Sequence, residues 1–282
     1  MKTSALIQFT TLVENTVAGR SVKGEHGLSY HVHRGSRGML FDTGQTHLLV
    51  QNARELGVDL GAVEAIALSH GHYDHTGGLD AAVASAPEAR LFLHPAALEP
   101  KFAGNPDGTS RPVGIPTDSR RAIERAGERV VWTSRPTEVI EGVFVTGEIP
   151  RVTSFEDTGG DFFLDAGCRR RDPLVDDQAL YFDTRDGVVV LLGCAHAGVV
   201  NTLTYIRELT GGRPVHTLVG GMHLLQANAD RVARTFAALR EFDIRQLGPA
   251  HCTGVMPTAR LRTEFADRCV NCMVGSSLVF HR

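Results

Sequence analysis

No apolar run in this 282-residue chain approaches the roughly 18 residues of a membrane-spanning helix, and the opening Met1-Lys2-Thr3-Ser4-Ala5-Leu6-Ile7 lacks the apolar core of a secretion signal. A soluble, cytoplasmic protein is expected. An excess of one charge is also missing. The 29 basic and 32 acidic residues are interspersed and leave a net charge of −3, so no broad positive field invites DNA, RNA or an anionic membrane. Arg169-Arg170-Arg171 runs straight into Asp172 and reads as a surface patch. Cysteine is scarce and odd in number: Cys168, Cys194, Cys252, Cys269 and Cys272 fit reduced thiols better than a disulfide framework. Cys269-x-x-Cys272 has neither a partner pair nor a thioredoxin-like pattern after it. No solenoid-type period appears. These absences leave chemistry on a small molecule as the default. With 42% hydrophobic residues, one domain over residues 1–282 can bury a sizeable core.

What is present concentrates in Ser69-His70-Gly71-His72-Tyr73-Asp74-His75-Thr76-Gly77-Gly78-Leu79, where four potential metal ligands fall within six consecutive residues. The run follows Ala65-Ile66-Ala67-Leu68, a short buried strand by composition, so the ligands occupy the turn at a strand end, where α/β proteins place their chemistry. On an extended or tightly turning backbone, residues two apart point the same way, which makes His70 and His72 a two-jaw clamp. Asp74 and His75 lie one short turn further and reach a second point, so the spacing suggests two cations. Imidazole and carboxylate without thiolate suit Zn, Mn or Fe and argue against a closed structural zinc. Gly71, Gly77 and Gly78 remove Cβ groups where the backbone bends, and Thr76 is expected to cap a helix beginning near Leu79.

The pattern His-x-His-x-Asp-His resembles the signature of the metallo-β-lactamase superfamily. Further segments are similar to the branch of metal-dependent hydrolases related to the dihydropterin ribofuranosyl-aminobenzene phosphate synthase. They are Glu25-His26-Gly27-Leu28-Ser29, Leu40-Phe41-Asp42-Thr43-Gly44, Gly147-Glu148-Ile149-Pro150-Arg151, Asp176-Asp177-Gln178-Ala179-Leu180, Gly193-Cys194-Ala195-His196-Ala197-Gly198 with Asn201, Gly220-Gly221-Met222-His223-Leu224, and His251-Cys252-Thr253-Gly254.

Along the chain, strand-like runs at about 5–9, 29–33 and 38–41 precede a helix over about 45–56 closed by Gly57. The closing half repeats a strand–helix rhythm: strands at 188–192, 215–219 and 244–247, helices over about 199–209 and 230–242. Two halves that each offer sheet and helices, with histidines at strand ends, predict a four-layer αββα sandwich of two mixed sheets flanked by helices. Residues 100–116, rich in Gly, Pro and Asn, read as a long loop before a short helix over 119–126, a lid or insertion near 100–135. Arg111, Arg120, Arg121 and Arg125 lie in or beside it. They offer either a grip on an anionic substrate or, for the helical arginines, a solvated face.

Two ions need more ligands than the motif supplies. His196 follows a buried-looking strand and matches the Gly-Cys-x-His motif of the resembling branch. His251 follows the last strand–helix unit, where the superfamily places its final ligand. The metal set is therefore His70, His72, Asp74, His75, His196 and His251, holding two divalent ions, zinc first, with Mn or Fe compatible. His223 is the rival at a strand end, open between metal, substrate and supporting roles. Many members of the superfamily bridge their ions with an Asp where this chain has Cys194. Cys194, Asp177 or a hydroxide or oxo group alone are the open choices for the bridge, and a small buried hydrophobe is the other reading of Cys194. Asp42 fits the task of anchoring a ligand histidine's second nitrogen, and His26 and His94 are retained as pocket residues.

The chemistry implied is hydrolysis of a small, anionic ester, phosphoester, lactone or thioester by metal-activated water, with Asp74 and His223 as catalytic candidates, and Arg111 and Arg151 favouring a phosphorylated substrate. Tyr73 is a further candidate for the general acid. Alternatives are the synthase-type C–N bond formation that the branch resemblance implies, and a diiron redox or oxygen-sensing protein.

Overall fold

The computed structural model describes residues 6–282; the first five residues of the leader reading lie outside it. Two sheets dominate. The larger has seven strands in the order Ser277–His281, Leu6–Val13, Ser29–Arg34, Arg37–Phe41, Val63–Ala67, Arg90–Leu93, Val130–Trp132. The second has six: Gln246–Ala250, Val215–Gly221, Gly187–Leu192, Leu180–Thr184, Val143–Val145, Thr137–Ile140. Both are mixed, antiparallel toward one end and parallel toward the other.

Strand alternation explains the layers. In Gly187–Leu192, Val189 and Leu191 face the other sheet, whereas Val188, Val190 and Leu192 face helices. In the larger sheet, Met39, Phe41, Ala65, Ala67 and Phe92 point inward, and Leu40, Ile66, Leu91 and Leu93 point out toward Leu49, Leu79 and Ile123. Helices Leu48–Glu55, Leu79–Ser85 and Thr117–Ala126 cover the first sheet; Val199–Leu209, Ala229–Glu241 and Val255–Glu264 cover the second. The molecule is the expected αββα sandwich. Among the described residues no helix is long and apolar enough to cross a membrane.

Two local expectations are corrected. Residues 100–116 are not a plain loop: Phe102–Gly104 and Ser110–Pro112 pair antiparallel, and Phe162–Phe163 adds a third strand to this small sheet. The Gly- and Asn-bearing stretch between them is the turn of a hairpin. Thr76 caps nothing. It ends a one-turn helix, Tyr73–Thr76, and its Oγ1 donates to His72 O, while the helix Leu79–Ser85 begins from Gly78 without a side-chain cap. The backbone packs closely through this bend, which is why glycine stands at positions 71 and 77. A Cβ on Gly71 would lie 2.3 Å from Ala97 O, and one on Gly77 2.0 Å from Gln45 O.

Candidate metal centre

The parallel strands of both sheets end at the same edge, and their following turns carry Asp42, His70, Cys194, His223 and His251. Four of these turns are bent into the left-handed region at non-glycine residues: Asp42 (φ 62°), Ala195 (54°), His223 (46°) and His251 (48°). Such conformations persist only where surrounding structure holds them, and they concentrate at working sites.

Each histidine's second nitrogen has a fixed task. Asp42 Oδ2 accepts from His75 Nδ1 at 2.7 Å and from Ser69 Oγ at 2.7 Å. Because Ser69 spends its only hydroxyl proton on Asp42, its oxygen accepts from His70 Nδ1 at 2.9 Å. Thr158 O accepts from His196 Nδ1 at 2.7 Å, and Asn15 Oδ1 accepts from His251 Nδ1 at 3.0 Å. Asn15 Oδ1 also accepts from Gly27 N, which identifies it as the oxygen. The four Nδ1 protons thus leave four Nε2 lone pairs, turned to one region.

Those lone pairs face one another. His75 Nε2 lies 3.3 Å from His251 Nε2 and 3.1 Å from Cys194 Sγ; Asp74 Oδ2 lies 3.3 Å from His251 Nε2 and 3.8 Å from His75 Nε2. Acceptors this close repel unless a cation sits among them. A tetrahedral ion bound to nitrogen at about 2.0–2.1 Å spaces its ligands about 3.3–3.4 Å apart, which matches these separations. Beside this set, His70 Nε2 lies 3.0 Å from His72 Nδ1, and the rings of His70 and His72 lie 4.7 and 4.9 Å from that of His196. His196 Nε2 is buried with no hydrogen-bond partner among the described residues. The donor set suits divalent metal, and its ligand atoms cluster as His70 and His196, as His75 and His251, each with Cys194, and as Asp74 and His251 with His26.

The electrostatics differ among these residues: burial would lower His75, but Asp42 and Asp74 outweigh it and raise it. Burial pushes His72 down to about 3 and holds His70 and His196 well below the ordinary histidine range, so all three stay neutral donors. Burial also opposes ionisation of Asp74, but His75, His251 and His26 around it outweigh that and hold its carboxyl well below the usual carboxylate range. His26 Nε2 reaches Asp74 Oδ2 at 3.1 Å from the exposed side.

A cavity of about 480 Å³ opens over the second cluster, lined by His72, Tyr73, Asp74, Arg111, Phe162, His223 and His251. The Phe162 ring packs on His72 at 4.8 Å and His196 at 5.2 Å and forms part of the same cavity wall. His223 stands against His196 at 4.4 Å, with its Nδ1 buried and unpartnered among the described residues.

Several candidates go elsewhere. Asp177 is no bridge: it accepts from Ala197 N at 2.8 Å and lines a separate pocket with Arg151. Arg151 is occupied by the carbonyls of His196 and Pro173, so it braces the ligand turn and does not face the cavity. Arg120 is spent on the carbonyls of Leu98 and Ile115, and Arg121 pairs with Asp118 on the surface. His94 accepts from Ala96 N, outside the cavity. Sequence reasoning missed Asn15, Thr158 and Phe162, which come from loops far away in the chain and carry no local signal. It also missed a buried ion triad: Lys101 Nζ lies 2.9 Å from both Asp172 Oδ2 and Asp176 Oδ1, and Asp176 Oδ2 accepts from Gly71 N at 2.8 Å.

Comparison with known proteins points the same way. A family model for the metallo-beta-lactamase superfamily matches residues 22–210. The 7,8-dihydropterin-6-methyl-4-(beta-D-ribofuranosyl)-aminobenzene-5'-phosphate synthase of Methanocaldococcus jannaschii is 29% identical over 276 residues, 93% of this chain and 92% of that protein. The crystal structure of a metal-dependent hydrolase of the beta-lactamase superfamily superposes with a TM-score of 0.83 at 30% identity, covering 98% of this chain and all of the other. The metallo-beta-lactamase fold protein YhfI from Bacillus subtilis shares the fold at 12% identity, with a TM-score of 0.58 over 97% of this chain and 99% of its own.

Proposed function

The chain belongs to the metallo-beta-lactamase superfamily, and from that premise we propose that it is a metal-dependent hydrolase of a small anionic ester, phosphoester, lactone or thioester. The observation that carries the reading is the convergence of the His75 and His251 Nε2 atoms and the Asp74 carboxylate at 3.3–3.8 Å. His70, His72 and His196 would hold one divalent ion, and Asp74, His75 and His251 the other. Zinc suits this donor set first, with iron and manganese next. When bound, the ions supply Lewis acidity and, by lowering the pKa of water, a nucleophile near neutral pH.

The remaining steps fall to the chain's own groups. Arg111, projecting from the hairpin into the cavity, binds the anionic part of the substrate. Phe162 excludes water behind the reacting centre. Asp74, kept ionised by its histidine neighbours, orients the nucleophile. His223 lies on the cavity wall and delivers the leaving group its proton.

A second reading draws on the Methanocaldococcus relative, whose named product carries a 5'-phosphate and joins a dihydropterin to an aminobenzene. In that reading the same cavity organises C–N bond formation, with Arg111 on the phosphate. One panel separates the two: small esters, lactones, thioesters and phosphodiesters with added Zn or Mn, against a dihydropterin bearing a leaving group on its 6-methyl carbon, displaced as the bond forms, paired with an aminobenzene ribofuranosyl phosphate. Metal-dependent hydrolysis lost in a His70→Ala/His72→Ala variant supports the first. Coupling without hydrolysis supports the second and overturns the first.

A further inference from the structure

The cavity over the cluster is built of two unlike walls. One belongs to the small three-stranded sheet, where Phe162 pairs with Ala103 and Ala103 with Arg111, so the three stand abreast and their side chains leave the same face. All three line the cavity. Arg111 is the one arginine among the described residues there, and its guanidinium makes no ion pair or hydrogen bond with them. Asp161, which also lines this wall, pairs with Arg171. A cation without a counter-ion therefore faces the cavity.

The other wall comes from the turns that follow two strands of the second sheet. Leu225 stands just beyond His223 and Val255 just beyond His251, and both line the cavity. Their backbones are tied together: Leu225 N donates to Cys252 O at 3.4 Å, and Gly254 packs so close that a Cβ on it would lie 2.8 Å from Leu225 Cδ1. Burial does not explain these side chains. Leu225 is 62% exposed, Val255 80% and the adjoining Met256 71%, while the helix Val255–Glu264 that begins here buries Pro257 and Leu261 instead. Apolar side chains gathered in the open at the mouth of a cavity mark a surface that a ligand covers.

We propose that Leu225 and Val255 seat a bulky apolar group of the substrate while Arg111 holds its anionic end, so that the molecule this site accepts is an amphiphile. The inference rests on the reading of this cavity as the substrate site and names the class of molecule that fills it. A volume of about 480 Å³ lies within the range of small-ligand sites, so one molecule can touch both walls. Val255 also borders a second groove, of about 520 Å³, which shares Asn15, His251 and Gly254 with the cavity. A fused ring or long chain has room to run on past the lip. A methyl or acetyl group would leave that lip in water.

Calorimetric titration of the full chain, with zinc added, against methylphosphonate and (1-naphthylmethyl)phosphonate tests the proposal. Neither probe can be hydrolysed, and both offer the same anion to Arg111 and to metal, so the ratio of their affinities reports the apolar end. The naphthyl probe should bind about 10–100-fold tighter, the gain from taking its rings out of water. Leu225→Ser/Val255→Ser should bring the ratio close to unity, and Arg111→Met should weaken both probes by a similar factor and preserve it. A wild-type ratio near unity, or a full ratio in the double serine variant, overturns the apolar seat; unchanged affinities in Arg111→Met overturn the anionic end. Wild-type chains that sediment as a dimer, with the double serine variant sedimenting as a monomer, would give the lip to a second copy and overturn the seat as well. The wild-type ratio needs no turnover and no variant. A ratio kept without hydrolysis therefore sinks the hydrolase reading alone, and hydrolysis with a ratio near unity sinks the amphiphile alone.

Discussion

Asp42 Oδ2 accepts the His75 Nδ1 proton at 2.7 Å, and through Ser69 the same oxygen also fixes the tautomer of His70. One buried carboxylate thereby orients a histidine in each half of the proposed centre. Asp42→Asn keeps the shape but offers an amide where two protons must be accepted. The expected outcome is a fall of about 10–100-fold in affinity for zinc, read by competition with a chelating dye. Unchanged affinity would mean that Asp42 serves the turn alone.

Lys101 is buried between Asp172 and Asp176, and Asp176 in turn holds the backbone of Gly71 between the first two histidines. Lys101→Met removes the cation and strands two carboxylates. Loss of one partner of such a buried group costs about 3–5 kcal/mol, so the urea midpoint should drop sharply. The triple variant Lys101→Met/Asp172→Asn/Asp176→Asn should recover part of that loss, since no unpaired charge remains. Equal midpoints for the single and triple variants would contradict this account.

Asp177 carries a pH signature. Burial pushes its carboxyl from 3.8 up to about 7. Between those values the folded chain holds a proton that the unfolded chain has released, so stability falls as pH rises. Its stabilising contribution is full below about pH 3.8 and gone above about pH 7. Asp177→Asn, which mimics the protonated form, should flatten that part of the profile and gain on wild type by up to about 1.4 kcal/mol per pH unit. Urea unfolding of both proteins at pH 5, 6, 7 and 8 reads the difference, and parallel profiles would refute the assignment.

His223 separates binding from turnover. It lines the cavity and clusters with Cys194 and Cys252, apart from the two sets of three proposed ligands. His223→Ala should leave the metal content unchanged and lower kcat by about 10²–10⁴-fold, the range of a lost proton donor. Loss of one ion in this variant would place His223 among the ligands instead.

The legible part of this molecule was local. The period-two patterns of Val188 to Leu192 and of Met39 to Phe41 foretell strands with two dissimilar faces, and the fold's four layers follow from burying both. The dense run from His70 to His75 marks a candidate site through spacing alone, and the fold brings its side chains together. What escaped was long-range. Asn15 reaches His251 from 236 residues away, and Thr158 reaches His196 from a loop with no motif. Arg151 looked like a substrate-binding arginine because sequence cannot show that two carbonyls already occupy it. Arg120 and Asp177 misled for the same reason: a charged residue in a plausible place says nothing of its partners until the chain is folded.

The central claim is that two groups of three residues each hold an ion. Elemental analysis of protein purified without chelator, beside His70→Ala/His72→Ala and His75→Ala/His251→Ala variants, tests it most directly. The account predicts about two divalent ions per wild-type chain and a clear loss in each variant, with the sandwich still folded by circular dichroism. Full metal content in either folded variant, or wild-type protein that stays metal-free when offered zinc, iron and manganese, would contradict it.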